Sequence, residues 1–288
     1  MNNVVRKITF MFINILVVTV VIASVFFGNE LKSARQVTGE NIDQLTGQRI
    51  GALTAWEADY ILSGRDDITL KRYDEAGDML MALCYKQIDA AALGSSLASY
   101  IMQKVTGLKV LDEPIDHDKY CAVQYVENKE LNQQFDAWAE SFYGSARSDE
   151  IREKIYNNYY SDGCGKIEET GTGEVIKVGY NIDGQPCTFI DTISGGPRGF
   201  EVDIMTMFAN DNNYQIEWVE ATETTVYPFI EQKKIQLYVG GYAEVYRGEF
   251  DVNPDFELSK PYLEYDIVVL VVDDWNNLSL NNYQEEEE

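Results

Sequence analysis

Few residues in this 288-residue chain have the types and spacing that chemistry needs. The one histidine, His117, stands between Asp116 and Asp118, an acidic setting that suits a solvated turn better than a general base. Cys84, Cys121, Cys164 and Cys187 are 37, 43 and 23 residues apart, unlike the close pairs of a zinc site. Outside a cell an even number of cysteines permits disulfides, while Cys84 suits burial on an apolar helix face. Asn181, Asp183 and Gln185 alternate as in a calcium loop but lack the distal Glu that completes one. There is no Gly-Lys-Ser phosphate cradle and no pair of histidines. Arg247 offers a planar fork of two donors that matches a carboxylate, although Glu249 and Asp251 could also pair with it at the surface. No catalytic residue, metal site or cofactor is expected.

The elements that must position these residues follow from pattern. Thr46–Leu53 reads as a turn followed by a short apolar strand, and Ile68–Tyr73 and Ile88–Leu93 as strands, alternating with helical stretches at Ala55–Ser63, Asp74–Tyr85 and Ser95–Val105. Val110–Leu111 and Tyr120–Val126 are two further strands, and helices are expected from Glu127 to Phe142 and from Ser148 to Tyr160. After a glycine-rich stretch at 161–174, Val175–Tyr180, Tyr214–Val219, Ile235–Val239 and Tyr265–Val272 read as strands, with a helix from Gly199 to Asn210 and a short one from Thr224 to Gln232. This alternation implies α/β layers with mostly parallel sheets. A net charge of −25 argues against nucleic acid as a partner, because a phosphate backbone would repel it.

The amino-terminal segment carries Arg6 and Lys7 ahead of an apolar run from Ile8 to Gly28, about the length that spans a bilayer as a helix. The run is longer than the apolar core of a secretory signal, so an anchor at 1–28 is favoured over a cleaved signal. Arg6 and Lys7 place that end in the cytoplasm and the bulk of the chain outside the cell. Residues 29–45 read as a polar stalk, and 273–288 as an acidic, unstructured tail.

Five pieces in the second half are ordered in a particular series: Val175–Tyr180, Gly199-Phe200-Glu201-Val202-Asp203, Lys234-Ile235-Gln236-Leu237, Arg247, and Leu258-Ser259-Lys260-Pro261-Tyr262. That series resembles the first lobe of the extracellular amino-acid-binding, family 3 solute receptors of the periplasmic type. Residues 46–160 resemble the second lobe. The resemblance implies a two-lobed, type 2 periplasmic-binding-protein-like α/β fold with its lobes in permuted order: a lobe-2-like segment with return helices at 46–160, a linker at 161–174, and a lobe-1-like segment at 175–272. Circular permutation is favoured over a fragment of a tandem array, since the pieces make one complete set.

In that family a ligand lies among a few polar groups and is held by closure of the lobes. By resemblance Arg247 grips the ligand's carboxylate, with Tyr242 and Gly241 in the loop before it. On the other lobe the family's Gly-Thr pair is replaced by Ala55 and Trp56, preceded by Thr54. Where an Asp commonly binds the ligand's amine stands Gly94, followed by Ser95 and Ser96, so an amine would fall to Glu57 or Asp183. Phe189 and Trp56 are the rings expected near the ligand. The resemblance therefore implies a receptor for a small polar solute, an amino acid or related carboxylate, serving an ABC permease or a membrane sensor. A scaffold that has lost its ligand is the next reading, and an enzyme using Glu57 as its acid is the remote one.

Overall fold

The computed structural model describes residues 45–222, 225–246 and 255–280. The membrane anchor, all of the stalk but Leu45, Arg247 and the last eight residues of the tail lie outside the described residues. Among the described residues no helix is long and apolar enough to cross a membrane. The chain is α/β, as its alternation of patterns predicts, and divides into two units. One contains residues up to Asp116 and from Asp266 onward; the other is the continuous stretch His117–Tyr265.

The first unit is built from β1 (Arg49–Leu53), α1 (Glu57–Leu62), β2 (Thr69–Tyr73), α2 (Ala76–Cys84), β3 (Ala90–Gly94), α3 (Ser95–Lys104), β4 (Val105–Thr106) and β5 (Leu108–Val110). β1 pairs in parallel with both β2 and β3. Beside β3 runs an antiparallel strand from the far end of the chain, and that strand pairs on its other side with β5. Leu53, Met79, Leu83, Ile88 and Leu93 form the core with Val268 and Leu270. Burying such side chains stabilises by roughly 1.5–3 kcal/mol each.

The second unit begins in β6 (Asp116–Tyr120) and continues through β7 (Val123–Tyr125), α4 (Lys129–Phe142), α5 (Ala146–Tyr156), β8 (Val175–Tyr180), β9 (Asp183–Gly184), β10 (Thr188–Ile190), β11 (Pro197–Arg198), α6 (Phe200–Asp211), β12 (Gln215–Glu220), α7 (Val226–Glu231), β13 (Leu237–Val239) and β14 (Phe256–Leu258). Its main sheet has the order β12-β8-β13-β7-β14, parallel across β12, β8 and β13 and antiparallel beyond. β9, β10 and β11 form a small antiparallel sheet. The chain leaves the unit through β15 (Leu263–Val272) and ends its described part in β16 (Ser279–Leu280), which pairs with β4.

α4 buries Leu131, Phe135, Trp138, Ala139 and Phe142, the spacing of one helical face. α6 is buried on nearly every side, from Phe200 to Ala209, so it is the central helix of its unit. The rings of the two meet directly: Phe135 and Trp138 stand edge-on to Phe208 with centroids 5.0 and 5.6 Å away.

Three expectations change. The helix predicted to reach Tyr160 stops at Tyr156, and two residues later Asn158 turns left-handed at φ 63°. The 161–174 stretch is irregular but is no free linker. Its backbone N–H groups at Ile167, Thr170 and Thr172 donate to Asp203, Asn210 and Asn213. The tail expected from Asp273 is ordered as far as Leu280, because Trp275 and Leu278 pack on the first unit's core and Lys86 lies 4.4 Å over the Trp275 ring.

Candidate functional site

In each unit some of the predicted residues follow the carboxyl ends of adjacent parallel strands: Gly241 and Tyr242 in the second, Thr54, Trp56, Glu57 and Ser95 in the first. There, open α/β sheets leave a crevice with free backbone groups. In the second unit Val239 pairs with Tyr180, so the turns that follow β13 and β8 emerge side by side. The turn after β13 carries Gly240, Gly241 and Tyr242, then a short 3-10 helix at Glu244–Tyr246.

Gly241 has φ +83°, a conformation that favours glycine, and a Cβ there would lie 3.3 Å from Cys187 Sγ. Its N–H donates to Glu201 Oε2 at 2.8 Å, and the Tyr262 hydroxyl donates to Glu201 Oε1 at 2.5 Å. The Gly240 N–H also donates to this carboxylate. Glu201 has no exposed surface, and burial pushes its carboxyl up to about 7, against the opposing pull of those three hydrogen bonds. Burial and the neighbouring Glu201 charge push Tyr262 well above its ordinary value.

Farther along the same loop, Ala243 bridges to Tyr120, and the Cys121 N–H donates to the Tyr242 carbonyl at 2.9 Å. Lys119 pairs with Glu244 at 3.1 Å. Asp118 accepts from the N–H groups of Glu244 and Val245, while burial raises its carboxyl above its ordinary value. The Tyr242 ring is half-buried between Tyr238 and Tyr246, with centroids 5.7 and 6.4 Å away. Arg247, the residue next in line, lies outside the described residues.

In the first unit the parallel pairing of β1 with β3 sets the turn after Leu53 beside Gly94 and Ser95. Thr54 donates its hydroxyl to Asp74 Oδ1 at 2.9 Å, and its N–H to the Tyr73 carbonyl. Ala55 takes φ 58°, where an L side chain is disfavoured, and its N–H donates to Asp59 Oδ2 at 3.1 Å. Asp59 also accepts from Arg72 and from the Ser63 hydroxyl. Burial raises its carboxyl, but these hydrogen bonds outweigh that and leave it below the ordinary value. Trp56, 41% exposed, precedes α1 and offers an open ring.

The remaining predicted residues are less accessible. Glu57 and Ser95 are buried at 5% and 6% exposure, and the Ser95 hydroxyl already accepts the Asp266 N–H at 3.2 Å. Phe189 is 1% exposed in β10, which places it in the second unit's core and leaves no open face for stacking. Asp203 is held by the Tyr160 hydroxyl and the Ile167 N–H. Gln236 accepts the Lys177 N–H at 2.8 Å, a structural role. It also lines a cavity of about 260 Å³ on the second unit with Tyr125, Asn128, Lys177, Ile230, Lys233 and Ile235. Among the described residues no group of His, Cys, Asp and Glu could hold a metal ion, and all four cysteines are free thiols.

Glu201 and Asp59 were missed as organising residues. The signal for Glu201 was present in Gly-Phe-Glu-Val-Asp, but its partners lie 40 and 61 residues away. Asp59 had no signal beyond its place in a helical stretch.

Residues 176–278 match the family model of the bacterial extracellular solute-binding proteins, family 3. Similar solved structures include the ligand-binding component of an ABC-type import system from Staphylococcus aureus, 13% identical over 79% of this chain, with TM-score 0.41. This chain covers 66% of that one. The arginine-bound ArgBP of T. maritima is 11% identical over 80% of this chain and 89% of its own, with TM-score 0.37. A probable amino-acid ABC transporter extracellular-binding protein, YtmK from Bacillus subtilis, is 6% identical over 80% and 85%, with TM-score 0.42. No curated protein matches the chain.

Proposed function

We propose that this chain is a membrane-tethered extracellular receptor that binds a small polar solute, an amino acid or related carboxylate, and delivers it to an ABC permease. The observation that carries the reading is the Gly240–Tyr246 turn at the end of β13. Its backbone is shaped by a left-handed glycine, and it leads directly into Arg247. A rigid turn of this kind can present a guanidinium fork to a carboxylate, with backbone groups and the Tyr242 hydroxyl beside it. The family 3 match over residues 176–278 supports the solute-binding class. The apolar run at Ile8–Gly28 supports the tether.

Permuted lobe order is supported by how the two halves share sheets. β7, from the first half of the chain, lies between β13 and β14 of the second half. β15, from the second half, lies between β3 and β5 of the first. A single receptor is expected to unfold in one cooperative transition, whereas two separate transitions would favour a tandem fragment.

The test is thermal unfolding of the full chain in detergent with a panel of amino acids, small carboxylates and amines. At a hundredfold excess over Kd a ligand adds about 2.7 kcal/mol, which raises Tm by several degrees. Arg247→Ala should abolish that rise while leaving the ligand-free Tm unchanged. A flat panel would sink the reading.

A further inference from the structure

The buried carboxylate of Glu201 has no role in the proposed site's contacts with ligand, yet the loop that leads to Arg247 is built around it. Gly199 is where this begins. Its φ is +123°, and a Cβ there would sit 2.1 Å from the Cys187 carbonyl, so glycine lets α6 start tight against the beginning of β10. The Glu201 N–H then donates to that same carbonyl, which sets its side chain under the turn after β13. Two successive backbone N–H groups, at Gly240 and Gly241, and the Tyr262 hydroxyl converge on its two oxygens. Such a convergence of donors satisfies an ionised carboxylate better than any neutral group of the same shape. Tyr262 immediately precedes β15, the strand by which the chain leaves the unit.

We infer that Glu201 is the positioning residue of this receptor: its ionised carboxylate fixes the backbone of Gly240 and Gly241, and protonating it loosens the loop that carries Tyr242. The ligand-directed part rests on the receptor reading; the tether itself does not. Burial raises the carboxyl and the three hydrogen bonds pull it back to about 7. Against a detached loop over a still-buried Glu201, those bonds therefore hold most firmly above about pH 7 and weaken below it, even though the fold as a whole binds the proton more tightly than the unfolded chain. The other titratable groups near this pair are Cys121 and Cys187, whose charges would act on Tyr262.

The experiment is hydrogen exchange of the full chain in detergent, followed by mass spectrometry. Protection of the Val239–Ala243 segment is corrected for intrinsic rates at about pH 6 and about pH 8. Wild type should lose roughly tenfold in protection on going to the lower pH, with α4 unchanged. Glu201→Gln should be low and flat at both. Tyr262→Phe removes a donor to the charged form, so its transition should move to higher pH, and this keeps the inference testable should Glu201→Gln misfold. Cys187→Ala should leave the profile in place. Equal protection at both pH values in wild type, or the same profile in Glu201→Gln, overturns the inference. In the ligand arm, L-arginine, L-glutamate and succinate serve as probes by thermal shift. A probe that shifts wild type should shift Glu201→Gln much less, and an undiminished shift would overturn the positioning role. If no probe shifts wild type while the pH profile holds, the receptor reading falls and the tether stands.

Discussion

At the scale of single residues, the most exacting demand in the second unit is made by Glu201. A folded-state carboxyl near 7 against an ordinary value of 4.5 means the folded protein binds a proton more tightly than the unfolded chain. The resulting contribution to stability is fully present below about pH 4.5 and is lost as pH rises through about 7. Its size is on the order of 2–4 kcal/mol. Chemical denaturation of wild type and Glu201→Gln should therefore differ in pH dependence across that window, with wild type declining and the variant nearly level. Asp59 runs the other way. Its lowered carboxyl adds stability that is present above the ordinary carboxyl range and lost in acid, so Asp59→Asn should flatten the acid limb of the unfolding curve. Glu201 was marked in the sequence only by its Gly-Phe-Glu-Val-Asp setting and Asp59 not at all, and the partners of neither were legible. Composition shows a carboxylate, but whether it is solvated or surrounded by donors depends on residues such as Gly241 and Tyr262 that only the fold brings near. Gly241 was legible as a permissive backbone position, while the Ala55 turn was not, because nothing local marks an alanine for φ 58°.

Among the elements, the contact of α4 with α6 is built from aromatic rings. Phe135 has no exposed surface and touches rings of Trp138, Phe208 and Tyr262. Phe135→Ala should cost about 3–5 kcal/mol in denaturant unfolding, since three packed rings cannot collapse into the space it leaves. The irregular 161–174 strap makes a sharper demand. A Cβ at Gly171 would lie 1.7 Å from the Tyr214 carbonyl, so Gly171→Ala should force the strap off the turn that follows α6. The check is a fall in Tm of several degrees, with faster exchange at 167–173. Helices and core strands were legible because their apolar residues repeat at regular intervals, as along α4. β6 was not, because Asp116, His117, Asp118 and Lys119 give no apolar alternation; the strand exists through its pairing with β15. The anchoring of the 161–174 linker was hidden for the converse reason. Its glycine-rich composition marks a linker, whereas at least two of its glycines serve close approach to the backbone of Asn213 and Tyr214.

For the molecule as a whole, the order of elements along the chain and the units they build do not coincide. β15 completes the first unit's sheet, and from Ile267 to Val272 every residue is buried. A chain ending at Tyr265 should therefore lose protection at Ile50–Leu53 and Ala90–Gly94 while α6 keeps its own. Hydrogen exchange of the truncated chain checks this. The second unit, by contrast, is one unbroken stretch whose two ends are already neighbours: the Tyr262 N–H donates to the Tyr120 carbonyl at 3.1 Å. Just outside it, the Ile115 N–H donates to the Ile267 carbonyl at 2.7 Å. Residues 117–265 thus sit in the chain like a parenthesis in a sentence, opened and closed at one place. A parenthesis can be lifted out and the sentence still read, so a short turn joining Asp116 to Asp266 should leave a foldable first unit, and the excised stretch should be transplantable into any loop whose ends stand a strand's width apart.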